Sequence, residues 1–176
     1  MHLMSAKRSR LVIIDFQARL MPAIEDGPRL LANAVRLVAA AKLLGVPMIL
    51  TEQNPAGLGA TVPDLADAAP AIAKMSFDAC GASAFTDAIG GDDEVIICGC
   101  EAHVCVGQTA LSLLEHKRRV FVVRDAVGSR AAESKEAALR RLERRGAEIV
   151  TTEMVVFEWL RTAEHPQFRA AVKLIK

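Results

Sequence analysis

Short runs of β-branched and other apolar residues alternate along the chain with longer stretches in which apolar positions recur every three or four residues. Leu11-Val12-Ile13-Ile14 is apolar throughout, the pattern of a central strand covered on both faces. Between Pro28 and Leu44 the residues Leu31, Ala34, Val35, Val38, Ala39 and Leu43 repeat at helical spacing, and Gly45 follows as a stop. Val46-Pro47-Met48-Ile49-Leu50 predicts a second strand, with Pro47 near its start, where a missing donor is tolerated.

The pattern lapses from Thr51 to about Pro70, where Asn54-Pro55, Gly57, Gly59 and Pro63 supply turn residues and predict a long functional loop. Ala71–Lys74 then predicts a short edge strand and Ala82–Ile89 a short helix. Glu94–Cys98 predicts a strand, Val104–His116 a helix, and Val120–Val123 a strand ending at Arg124-Asp125. Glu133–Arg145 predicts a helix closed by Gly146, Glu148–Val150 a final strand, and Met154–Leu160 and Pro166–Ile175 terminal helices. Strands alternating with helices in this way define repeated βαβ units. The expected fold is a three-layer α/β/α arrangement around a mostly parallel, Rossmann-like sheet, with residues 1–176 as a single domain.

Composition narrows the class. With 176 residues, 52% apolar and 24% charged, the chain is long enough for a full core and too apolar for disorder. A net charge of +1 without a dense basic tract argues against nucleic acid as a partner. No apolar run reaches the roughly 18 residues of a membrane span. The opening ten residues carry charge without an apolar stretch, so no secretory signal is expected there. Cysteines at 80, 98, 100 and 105 lack the spacing of a disulfide framework, and reduced thiols in a cytoplasm are expected.

In an open parallel sheet, ligands bind outside the carboxyl ends of the strands. Three reactive residues fall there: Asp15 after the first strand, Lys74 at the end of the edge strand, and Cys105 at a strand-to-helix junction. The positive end of the helix dipole is expected to favour the Cys105 thiolate. A carboxylate within reach can take the thiol proton, a lysine balances its charge, and helix N-terminal amides face a developing oxyanion. Gln17 and Gln53 both follow strand ends, where an amide side chain suits recognition of an amide or imide. Phe16 and Phe77 either wall the pocket or pack in the core, and His103 lines the pocket or meets a neighbouring subunit. Trp159 and Phe157 read as packing or oligomer contacts.

The order of these pieces resembles the isochorismatase-like cysteine hydrolase superfamily, which includes nicotinamidases and N-carbamoylsarcosine amidase. The resemblance rests on Val12–Gln17, Thr51-Glu52-Gln53, Lys74-x-Ser76-Phe77, Gly99-x-Glu101-Ala102-His103-Val104-Cys105-Val106 and Asp125–Arg130, and spans nearly the whole chain. It implies an Asp15-Lys74-Cys105 triad and a non-proline cis peptide at Cys100-Glu101. It also implies an oxyanion hole made by the Glu101 and Cys105 amides, and a homo-oligomer.

Two departures refine it. Nicotinamidases bind zinc through loop histidines, and the loop from Thr51 to Pro63 contains no histidine, so no metal and no cofactor is expected. True isochorismatases cleave a vinyl ether by a route that needs no thiol, so Cys105 points instead to C–N cleavage through a thioester on a small-molecule substrate. Three alternatives remain: a vinyl-ether hydrolase, a thiol-redox protein pairing Cys105 with Cys100, and a non-catalytic scaffold. Cys98-x-Cys100 without a second pair is no structural zinc site, and Gly57 and Gly59 form no phosphate loop.

Overall fold

In the computed structural model, which describes residues 3–91 and 94–176, six parallel strands form one sheet in the order β3-β2-β1-β4-β5-β6. Met1 and His2, the first residues of the opening segment read above as lacking a signal, lie outside the described residues. The strands are β1 (Ser9–Ile14), β2 (Met48–Gln53), β3 (Ala71–Lys74), β4 (Glu94–Cys100), β5 (Val120–Gly128) and β6 (Glu148–Val150). Helices α1 (Gly27–Leu44), α7 (Thr152–Leu160) and α8 (Phe168–Leu174) cover one face. Helices α4 (Ser83–Ile89), α5 (Cys105–Glu115) and α6 (Ala132–Arg144) cover the other.

Side-chain alternation along the central strands creates these two layers. Leu11 and Ile13 of β1 enter the core beneath α1, whereas Val12 and Ile14 enter the core beneath α5. Trp159 is buried in the packing of α7, its indole donating to Ser9 Oγ at 2.9 Å. Phe157 stays 43% exposed beside Phe168.

Several boundaries differ from the pattern reading. β2 begins later and runs through Gln53, where β3 pairs with its polar end: Glu52 opposes Ala73 and Gln53 opposes Lys74. The stretch after it holds two four-residue helices, α2 (Pro55–Leu58) and α3 (Pro63–Ala66), each opened by a proline and too short to show periodicity. β5 continues past the charged Arg124-Asp125 to Gly128 because its register against β4 shifts between Ile97 and Gly99, which absorbs the interruption.

β1 and β4 lie side by side, yet the chain leaves them toward opposite edges of the sheet. Their carboxyl ends therefore flank the crevice at the point where strand order reverses. The two strands approach closely at Gly99, which has φ of 141° and opposes Ile14. A Cβ at this position would collide with the Ile14 carbonyl oxygen, one residue before Asp15.

Gly99→Ala is therefore expected to destabilise the protein by about 3 kcal/mol or more in urea titration. Gly45→Ala, at φ 69° with open space around it, should cost only about 1 kcal/mol. Equal losses at the two sites would contradict the close approach of β1 and β4.

Candidate active site

Asp15 is the first residue beyond β1 and adopts φ of 53°, in the left-handed region that aspartate tolerates better than most residues. This turns the chain away from the strand direction, and the fully buried carboxylate receives two donors. Thr51 Oγ1 donates to Oδ1 at 2.7 Å and Lys74 Nζ donates to Oδ2 at 2.8 Å. Both side chains of the ion pair are 0% exposed. The ammonium also donates to the carbonyls of Ser76 at 3.3 Å and Phe77 at 3.4 Å, so its three hydrogens have acceptors.

Cys105 opens α5 and is 6% exposed. Its thiol interacts with both the Asp15 carboxylate and the Lys74 ammonium. Helix position alone favours a thiolate, but burial pushes the thiol up to about 12, and the charge and hydrogen bond of Asp15 push the same way. Lys74 opposes them and is outweighed. Burial and Asp15 thus outweigh the pull of the helix dipole toward thiolate, which fits the expectation that Cys105 needs a neighbouring carboxylate to take its proton.

The turn before α5 is tied down from both ends. The Cys100–Glu101 peptide is cis. Ala102 N donates to Gly128 O at 2.7 Å, while Val104 N and Val106 N both donate to Glu101 O. Among the described residues no backbone carbonyl takes the amide hydrogens of Glu101 or Cys105. The buried Glu101 carboxylate accepts from Arg130 N at 2.9 Å and Arg130 Nε at 3.1 Å, which locks the loop after β5 onto this turn.

A cavity of about 340 Å³ opens over these groups, lined by Asp15, Arg19, Leu20, Ala23, Gln53, Leu58, Phe77, Glu101, Val104, Cys105 and Arg130. Other surface clefts reach 320 to 410 Å³. Its chemistry, not its size, singles this one out.

The sequence-predicted rim residues divide. Gln53 and Phe77 line the cavity, Gln53 donating to Met75 O at 3.2 Å and Phe77 remaining half-exposed. Phe16 does not: it is fully buried in the core on the α1 side, because the turn at Asp15 redirects the chain inward. Gln17 does not either, since its whole amide serves the fold. It donates to Gln53 O at 3.0 Å and Gly59 O at 2.7 Å and accepts from Gln53 N at 2.8 Å. His103 turns away toward a separate groove between α5 and α6, with Nδ1 3.0 Å from Ser129 Oγ. Thr51, Arg19 and Arg130 were missed, although Thr51 and Arg130 stand inside the quoted motifs and Arg19 is two residues past Gln17.

Cys100 and Cys98 belong to the core on the opposite face of the sheet from Cys105, with Cys100 Sγ 3.9 Å from Met21 Sδ. No disulfide joins them to Cys105, and all four cysteines are free. Among the described residues no group of three or more His, Cys, Asp or Glu is placed to hold a metal ion. No described helix is long and apolar enough to cross a membrane.

The chain as a whole has relatives among known proteins. The isochorismatase domain family matches residues 9–154, and the chain belongs to that family, with its hydrolase fold. It is 39% identical to isochorismatase domain-containing protein 2 of Danio rerio over 98% of this chain and 89% of that one. Among solved structures, the MAR1 ribonuclease of Caenorhabditis elegans superposes with a TM-score of 0.94 at 35% identity, covering 99% of this chain and 92% of that one. The YcaC gene product of Escherichia coli, an octameric hydrolase of unknown specificity, superposes at 0.91 with 28% identity over 99% and 90% of the two chains. YcaC from Pseudomonas aeruginosa, solved with hexane-2,5-diol and covalent acrylamide, superposes at 0.87 with 28% identity over 98% and 95%.

Asp15→Asn should lower the Cys105 pKa below about 12, because it removes the carboxylate's charge and leaves the Lys74 ammonium facing the thiol. A pH titration of thiolate absorbance, with Cys105→Ser as blank, measures this. A midpoint at or above that of the wild type would contradict the reading.

Proposed function

We propose that this chain is a cysteine-dependent hydrolase cleaving a C–N bond of amide, imide or carbamoyl type in a small molecule. One observation carries the reading: Cys105 lines a small cavity together with a carboxylate already fixed by a buried lysine. A neutral thiol is a weak nucleophile, so the site must remove its proton as attack proceeds.

Asp15 takes the Cys105 proton while sulfur bonds to the substrate carbonyl carbon. The carbonyl electrons move onto oxygen, which the Glu101 and Cys105 amides receive; their lack of a backbone acceptor supports that role. Lys74 keeps the Asp15 carboxylate in place and compensates the negative charge of the site. When the C–N bond breaks, Asp15 returns the proton to the leaving nitrogen. Asp15 then accepts a proton from water as that water attacks the thioester, and passes it to sulfur as the C–S bond breaks, releasing the acid, the Cys105 thiol and the Asp15 carboxylate.

The covalent acrylamide in the Pseudomonas relative supports a reactive nucleophile on this fold, since acrylamide is an alkylating agent that adds nucleophiles at its terminal vinyl carbon. The octameric E. coli relative supports a homo-oligomer. A vinyl-ether substrate fits less well, because the thioester route needs a carbonyl carbon.

The test is trapping on a panel of small amides, imides and carbamoyl compounds, with single-stranded RNA included because of the nematode relative's name. Intact mass should show an acyl adduct on Cys105 with at least one C–N substrate. Cys105→Ala should lose turnover by about 10³-fold or more, and Asp15→Asn by a comparable factor. Turnover that survives Cys105→Ala, on RNA or on any other compound, would overturn the mechanism.

A further inference from the structure

With the buried Lys74 counted behind Asp15, the charged groups at the cavity leave one positive charge over. Asp15 is matched by Lys74, and Glu101 by Arg130, whose Nε and backbone N both donate to the same carboxylate oxygen. Arg19 has no carboxylate of the described residues within ion-pair distance. Its guanidinium is nonetheless positioned, with NH1 donating to Gly57 O at 3.0 Å and Ala56 O at 3.3 Å. Its backbone is pinned to the same segment through Arg19 N donating to Leu58 O at 3.0 Å. That segment is itself held down by Gln17, which donates to Gly59 O. A guanidinium anchored through one nitrogen keeps its other donors for a planar acceptor, and carboxylate geometry matches that fork.

We propose that the substrate carries a carboxylate remote from its scissile C–N bond, and that Arg19 is the specificity-determining residue that binds it. The proposal rests on the hydrolase reading above, because it places the reacting carbonyl at Cys105. Leu20, Ala23 and Leu58, which line the same cavity, supply an apolar wall for the linking carbons. An ω-amido acid has this form: an amide at one end for the thiol, a few methylenes, and an anion at the other.

The experiment measures how well amides protect Cys105 from alkylation by iodoacetamide, followed by peptide mass spectrometry. The probes are oxamate, malonamate, succinamate and glutaramate, each paired with its neutral diamide. One acid should protect at about tenfold lower concentration than its diamide, the advantage of one charge-assisted pair. Arg19→Gln should abolish that advantage and Arg19→Lys should restore part of it, whereas Arg140→Gln on the outside of α6 should leave it intact. Equal protection by acids and diamides, or an advantage that persists in Arg19→Gln, would overturn the anion proposal and leave the hydrolase reading standing. Absence of protection by every probe would also overturn it. The thioester trapping experiment judges the hydrolase reading independently.

Discussion

The buried ion pair between Asp15 and Lys74 is the interaction on which the site depends. Each member alone would be a charge removed from water, at a penalty of several kcal/mol. Together, with Thr51 on one carboxylate oxygen and two carbonyls on the ammonium, they are satisfied at 0% exposure. The pair also joins the fold, because Asp15 follows the central β1 while Lys74 ends the edge strand β3. β2, carrying Thr51, lies between them. Breaking such a pair costs about 3–5 kcal/mol in general, so the position of the Asp15 carboxylate is secured by the stability of the sheet.

The same pair acts on the candidate nucleophile. A cysteine at the first turn of a helix is expected to lean toward thiolate, but burial reverses that tendency and the carboxylate of Asp15 adds to the reversal, with Lys74 opposing. In the proposed mechanism proton removal and attack on the carbonyl are therefore coupled.

The fold and the three central residues were legible because they ride on periodicity. Asp15 and Lys74 end apolar runs, and Cys105 begins a helical one, so each position follows from where a strand or helix must stop or start. Residues placed by a turn were harder. Phe16 and Gln17 follow a strand toward its rim in the sequence pattern, but the left-handed φ of Asp15 sends Phe16 into the core. Gln17 goes under the loop at Gly59. His103 is two residues from Cys105, yet the tight turn from Glu101 aims it at Ser129 and away from the cavity. Arg19 and Arg130 became visible only once their backbone partners were in place, since an arginine in a loop carries no pattern of its own. The stretch from Thr51 to Pro70 hid its helices for a similar reason: four residues make a single turn, with no second turn to repeat it.

The proposed site turns on Cys105 resting as a thiol held against a carboxylate that is ion-paired to lysine. Difference infrared spectroscopy of the S–H stretch, wild type minus Cys105→Ser at pH 8, reads this directly. A band is expected for Cys105 with its proton bound, shifted by hydrogen bonding to Asp15 and altered in Asp15→Asn. A wild-type protein with no S–H band at this residue, and thus a resting thiolate, would contradict it.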